Sequence, residues 1–177
     1  MPAEHEGRVE TAFFDDDGRV PNSRLPVILY FGAIAPDAAD PASAFERRFA
    51  ENDWTNSWRS GVYPFHHYHS TSHEVLGIAA GEVTVRLGGR DGRNFDLQAG
   101  DVVVLPAGTG HKRISEGSEF LVVGAYPNGR DWDLIKPYRT EAAIHDAAVK
   151  RIAALPLPKL DPVWGGDGPL TRLWKAA

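Results

Sequence analysis

Between Gly61 and Gly81 the chain reads GVYPFHHYHSTSHEVLGIAAG, placing four of its seven histidines, one glutamate and three aromatic residues within twenty-one positions. Imidazole is the commonest protein ligand for first-row metals and the side chain best suited to moving protons near neutrality. The cluster therefore fits a metal site or an acid–base site, and spacing bears on the choice. In extended chain, side chains two positions apart point the same way, so His67 and His69 share a side that His66 and Tyr68 do not. A polar STS turn follows, and Glu74 opens the next apolar run. If these two segments pair as strands, the Glu74 carboxylate reaches the point that both histidines face. Thirty-seven residues further on, after a buried apolar run, the stretch GDVVVLPAGTGHKRIS supplies His111.

Such residues need a scaffold that brings distant segments together. Leu25 to Ile34 is β-branched and aromatic with a glycine break, which predicts a strand. DPASAFERRFAEND offers Asp40 as N-cap, Pro41 at the first helical position, and Phe45 and Phe49 on one face; it predicts a short helix laid against a sheet. EVTVRL alternates from Glu82, with Val83, Val85 and Leu87 on one face and Glu82, Thr84 and Arg86 on the other. NFDL, VVVL from Val102 and EFLVVGAY from Glu119 read as further strands, separated by the turns GGRDGR and QAGD. Short strands at this spacing predict an all-β barrel or sandwich. The period then lengthens in TEAAIHDAAVKRIAAL, a helix with Thr140 as N-cap, Glu141 in its first turn, and Ile144, Ala148, Val149 and Ile152 on one stripe. Pro156 stops it. The Pro- and Gly-rich tail carries Trp164 and Trp174 and is expected to dock on the barrel or on a second subunit. GGDG in that tail lacks the lysine and spacing of a phosphate loop and reads as a turn.

Composition narrows the function classes. A chain of 177 residues that is 42% hydrophobic fills one core. A formal charge of -5 without a basic run argues against nucleic acid or an anionic membrane as partner. No cysteine is present, which removes disulfides, thiolate metal sites and cysteine nucleophiles. The longest apolar stretch, LPVILYFGAIA, is too short to span a bilayer. The acidic N-terminal segment has no apolar core of a signal peptide, so a soluble, cytoplasmic protein is expected.

The two histidine-bearing stretches resemble the paired signatures of the cupin superfamily. Gly61, His67, His69, Glu74 and Gly81 match the first; Gly100, Pro106, Gly108 and His111 match the second, with Ser115 where that signature ends in asparagine. The resemblance implies a cupin-type double-stranded β-helix, a jelly-roll barrel, here with short flanking α-helices. It spans the central part of the chain, residues 58–127. Residues 1–57 then form an N-terminal strand and helix extension, and residues 128–177 a C-terminal helix and docking tail; this flanking layout resembles the bacterial YjlB-type branch. Residue by residue, the resemblance assigns His67, His69, Glu74 and His111 as ligands of one divalent metal ion per chain. Three neutral imidazoles and one carboxylate suit Mn, Fe, Co, Ni, Cu or Zn alike, leave a net charge of about +1, and leave an octahedral ion two open positions.

Two functions follow as expectations: a metal-dependent enzyme of dioxygenase, isomerase or lyase type acting on a small oxygenated or acidic metabolite, with Glu74 as ligand and proton shuttle, or a non-catalytic small-molecule or metal binding module. A closed structural zinc site is the bland alternative, but such sites favour the thiolates this chain lacks. Candidate pocket residues are Tyr63, Phe65, Tyr126 and Arg86, the last only if its face of the strand lines the barrel interior, where it would clamp a carboxylate. His66 is expected to face away from the ion, and His73 to be a turn residue or a support beside Glu74. His5 and His145 lie far from the motif and are expected to be solvated. Barrels of this superfamily commonly pair, so a homodimer is expected, with LPVILYF, Trp164 and Trp174 as contact surface.

Overall fold

Alternation of side chains, read strand by strand, determines what points into this barrel. A computed structural model describes residues 7–35 and 39–176. Among them the strands are β1 (Val9–Ala12), β2 (Val27–Tyr30), β3 (Trp54–Ser60), β4 (Glu74–Ala80), β5 (Glu82–Leu87), β6 (Arg93–Gln98), β7 (Val102–Leu105), β8 (His111–Glu116) and β9 (Leu121–Pro127). The helices are α1 (Pro41–Glu51), α2 (Ala142–Ala153) and α3 (Pro169–Leu173), with a 3-10 turn at Pro137–Arg139. The strands form two antiparallel sheets, ordered β1-β2-β7-β4-β9-β3 and β6-β5-β8. The fold is all-β, a cupin-type jelly roll with short flanking helices.

The space between the sheets is filled from one face of each strand: Leu76 and Ile78 from β4, Val83, Val85 and Leu87 from β5, Leu97 from β6, Val103 and Leu105 from β7, Val122 from β9. Residues in step with these must also face inward. Glu74 precedes Leu76 and Ile78 in that register, and Tyr126 follows Val122, so a carboxylate and a phenol enter an apolar interior. The opposite face of the larger sheet, with Val75, Val104 and Val123, lies under α1 and the C-terminal tail.

Helix α1 forms as its caps predict. The Asp40 carboxylate accepts from the Ser43 backbone N–H at 3.2 Å, Pro41 opens the helix, and Phe45 and Phe49 are buried on the sheet. The helix approaches so closely that a Cβ on Gly77 would lie 2.4 Å from the Phe45 ring. Only glycine fits there.

Several expectations need correction. The predicted Leu25–Ile34 strand shrinks to β2, a fully buried inner strand flanked by β1 and β7. β1 itself lies in the acidic N-terminal segment, where no strand is expected. β3 crosses the anticipated boundary at residue 57, because it pairs along β9 and belongs to the main sheet. In α2 the backbone cap is Glu141 rather than Thr140, and of the predicted stripe only Ala148 is fully buried while Ile144 and Val149 are exposed. That helix touches the body through a small patch with Tyr68, Ile135 and Ile152, so a full stripe has nothing to cover.

The tail docks on its own barrel. Trp174 is buried and its indole donates to the Pro26 carbonyl at 2.9 Å. Asp161 is wholly buried; it accepts from the Tyr30 hydroxyl and from the backbone N–H groups of Val163, Trp164 and Leu170. With β2 and Trp174 buried within the chain, they are not available as the contact surface of a dimer. No helix among the described residues is long and apolar enough to cross a membrane.

Candidate metal centre

His67 does not sit in a strand. Residues 61–73 are irregular, and His67 pairs by an isolated antiparallel bridge with His111, the first residue of β8. His67 N–H donates to the His111 carbonyl at 3.2 Å, and His111 N–H returns a bond at 2.9 Å. The expected pairing of this segment with β4 is therefore wrong, since β4 is occupied on both edges by β7 and β9. Alternation nonetheless holds: Tyr68 points away, bridged to Ile135, while His67 and His69 face inward.

Ligating nitrogens of His67, His69 and His111 all lie within 4.8 Å of one another, and the three residues are buried. Glu74 joins from the start of β4. Its Oε2 lies 3.2 Å from His69 Nε2 and its Oε1 lies 3.4 Å from His111 Nε2. The three histidines thus gather from two parts of the chain, and the Glu74 carboxylate of β4 lies against two of them.

The rings are held in one tautomer. Nδ1 of His67 is 3.0 Å from the Phe65 carbonyl, Nδ1 of His111 is 3.0 Å from the Thr109 carbonyl, and Nδ1 of His69 meets the Asp133 carbonyl. A carbonyl oxygen only accepts, so each Nδ1 carries the proton and each neutral ring turns the Nε2 lone pair toward the centre. Asp133 is itself anchored, its carboxylate accepting from Ser70 N–H at 2.6 Å and Thr71 N–H at 3.1 Å.

Charge balance points the same way. Burial would raise the Glu74 carboxyl, but the His69 charge and the close contacts of its two oxygens with His111 and His69 outweigh it and hold the group well below the usual carboxylate range. Burial drives His67 down to about 2, with the neighbouring His111 acting in the same direction. Burial opposes charge on His69 too, yet Glu74 overrides it and the ring is raised. A buried carboxylate against two of the three imidazoles thus favours a positive charge in the centre.

The centre opens into a cavity of about 340 Å³. Tyr63, half exposed, stands at its mouth, stacked on Phe65 with centroids 4.9 Å apart. Phe65 lies edge-on to His67 and carries Lys136 over its ring, without lining the cavity itself. Tyr126 lines the cavity from inside; it donates to Glu74 Oε2 at 2.8 Å and accepts from Trp58 Nε1 at 2.7 Å.

Arg86 is not in the pocket. Val83, Val85 and Leu87 take the inner face of β5, so the Arg86 guanidinium lies outside and donates to Asn94 at 2.9 Å and to the Arg90 carbonyl at 2.8 Å. Among the wall residues that go unanticipated are Trp58, Trp132 and Arg113. Trp132 stacks on Tyr126 at 5.9 Å and lies edge-on to His69. It belongs to an aperiodic loop, NGRDWD, which carries no signal for it; Arg113 carries one, two residues from His111 on the same strand.

The remaining histidines do other work. His66 faces away and packs edge-on against Tyr138. His73 is buried against Trp174 and its Nδ1 accepts from Ala107 N–H at 2.9 Å. It also borders a larger cavity of about 420 Å³ under the tail, where no group of three ligating side chains gathers among the described residues. His145 is not solvated: it pairs with Asp16 at 2.8 Å and Asp146 at 2.9 Å. His5 lies outside the described residues.

Comparison with known proteins agrees with this architecture. Residues 59–124 match the family described as Cupin domain, Cupin_2. Over 170 residues the chain is 40% identical to the uncharacterised protein YjlB of Bacillus subtilis (strain 168), covering 96% of this chain and 98% of that protein. Among solved structures it is similar to a variant of Bacillus subtilis oxalate decarboxylase, with 18% identity, a TM-score of 0.38, and coverage of 81% of this chain and 32% of that one. A second structure of that enzyme, from work on its Mn(II) centres, matches at 18% identity, a TM-score of 0.36, and the same coverage. The chain spans about a third of the length of those structures.

Proposed function

We infer that this chain, which belongs to the cupin superfamily, holds a divalent metal ion through His67, His69, His111 and Glu74 and presents it to a small oxygenated or acidic molecule. The observation that carries this reading is the gathering of three buried imidazoles, each with Nδ1 held by a backbone carbonyl, with the Glu74 carboxylate against two of them, a donor set suited to a cation. Three nitrogens and one hard oxygen suit a first-row divalent ion. When bound, such an ion supplies a Lewis acid toward a ligand oxygen, and redox chemistry as well if it is Mn, Fe or Cu.

The chain's own residues complete the site. Tyr126 fixes the Glu74 carboxylate by donating to one of its oxygens. Trp58, Trp132 and Tyr63 exclude water and offer aromatic faces to the apolar part of a ligand. Glu74 is the one carboxylate on the wall among the described residues, so proton movement in an enzymatic reaction falls to it. This supports a metal-dependent enzyme, of oxygenase, isomerase or lyase type.

One observation favours the non-catalytic alternative. Beyond the four candidate ligands, the wall has no histidine or carboxylate among the described residues, and burial with the adjacent Glu74 charge pushes the Tyr126 phenol far above its usual range. Tyr126 is thus a donor, not a base. Anaerobic reconstitution with Mn(II), Fe(II), Ni(II) and Zn(II), followed by a metabolite screen, separates the readings. Turnover by any metallated form supports the enzyme; capture without turnover supports the binding module. If no metal is retained, both fall.

A further inference from the structure

We propose that Arg113 anchors the carboxylate of the small molecule that enters the metal cavity; the inference rests on the metal-centre reading and names the chemistry of its ligand. Along β8, His111 lies opposite Leu87 and Arg113 opposite Val85, both of which are buried in the barrel interior. His111 and Arg113 therefore leave the strand on the same inner face, two residues or roughly 7 Å apart along it. Both line the same cavity. The Arg113 backbone N–H donates to the Tyr63 carbonyl at 3.0 Å, which ties this point of β8 to the cavity mouth.

The Arg113 side chain is only 28% exposed, yet its one side-chain partner among the described residues is the part-exposed Glu116, at 3.6 Å. That distance is beyond hydrogen-bond reach. Other arginines are committed: Arg151 donates to Ser70 at 2.8 Å, Arg130 to the Thr71 carbonyl at 2.7 Å, and Arg86 to Arg90 and Asn94. A part-buried planar fork with no side-chain hydrogen bond among the described residues, on the wall of a cavity, is suited to a carboxylate. It is also the only Arg or Lys side chain on the wall among the described residues, in a chain of formal charge -5 whose Glu74 carboxylate lines the same cavity.

One guanidinium matches a monoanionic head group. A phosphate dianion would call for more donors, and no helix N-terminus lines the cavity. The ligand class is then a short carboxylic acid with an oxygen donor several bonds from its carboxylate, such as a dicarboxylate, a hydroxy acid or an oxo acid.

The test is calorimetric titration of the Zn(II)-loaded full chain with malonate, succinate and glutarate, with their neutral diamides, and with inorganic phosphate. Wild type, Arg113→Gln, Arg113→Lys and Arg86→Gln are compared, with zinc content and melting temperature measured for each. The expected result is that at least one diacid binds wild type roughly tenfold or more tightly than its diamide, a preference lost in Arg113→Gln, partly kept in Arg113→Lys, and unchanged in Arg86→Gln. Zinc content and melting temperature stay at the wild-type level. If zinc loads but acids and diamides bind alike, if Arg113→Gln keeps the preference, or if phosphate binds more tightly than every diacid, the anchor is overturned and the metal centre stands. If wild type retains no zinc, both are overturned.

Discussion

Tyr126 donates a 2.8 Å hydrogen bond to Oε2 of Glu74 from the neighbouring strand of the same sheet, on its inner face. Both residues are buried, so the bond orients a charged carboxylate in an apolar setting and leaves its other oxygen beside His111. Trp58 completes the chain by donating to the same phenol oxygen.

Replacing Tyr126 by Phe removes that donor while keeping the ring. Hydrogen bonds to charged buried groups are worth about 1.5–3 kcal/mol, and loss of an outer support typically costs a metal site about 10–100-fold in affinity. The expected outcome is metal-free stability lowered by about 1–3 kcal/mol and zinc affinity lowered at least tenfold. Urea unfolding and competition with a chromophoric chelator measure the two effects; unchanged affinity would mean the phenol does not support the site.

Gly124→Ala reaches the same chain from the fold. A Cβ at Gly124 would lie 2.2 Å from the Trp58 indole, so the ring must move away from Tyr126. Overpacking of this kind costs about 1–3 kcal/mol. Near-ultraviolet circular dichroism should report a changed tryptophan environment together with weaker metal binding. A variant with wild-type spectrum and affinity would show that Trp58 has no part in holding the site.

The ligand set is legible in the sequence because metal chemistry leaves a spacing: His67 and His69 two apart, Glu74 at the head of an apolar run, His111 after another. The way they meet is not legible. His67 joins His111 through a single bridge between irregular chain and a strand end, and a two-residue contact leaves no periodicity to read. Arg86 and Arg113 look alike as isolated basic residues on short strands. The apolar set Val83, Val85 and Leu87 already sends Arg86 outward, whereas Arg113 is sent inward by the His111 register, which has force only once His111 is known to face the barrel. The α2 stripe misleads for a different reason: amphipathic pattern says which face is apolar, not how much of it a neighbour covers.

Metal affinity should weaken with acid. His67, at about 2, stays neutral, but Glu74 raises His69, and a proton taken up there must leave before that nitrogen can bind an ion. Where His69 is charged, each unit of falling pH costs up to about tenfold in apparent affinity. Zinc titrations from about pH 8 to about pH 6 should therefore release up to one proton per ion from this ring. An affinity independent of pH would contradict the charge balance described.

Acid should also destabilise the metal-free protein through His73. Burial lowers this ring from 6.5 to about 4, only partly opposed by the Pro156 carbonyl. The unfolded chain takes up a proton near 6.5 that the folded chain refuses, so the contribution is intact above that value and declines as pH falls toward about 4. The slope is at most about 1.4 kcal/mol per pH unit. In His73→Asn the amide oxygen can still accept from Ala107 N–H but does not titrate. Urea midpoints of the two proteins should converge on acidification; parallel curves would show that His73 is not the group responsible.

The central claim is that one cation belongs among His67, His69, Glu74 and His111. Anomalous diffraction at the metal edge, from crystals of protein loaded with Mn(II) or Zn(II), tests it directly. The account predicts one strong peak about 2.0–2.3 Å from three Nε2 atoms and a Glu74 oxygen. Metal-loaded crystals whose anomalous peaks all lie elsewhere, with the three imidazoles and the carboxylate in contact only with one another, would contradict it.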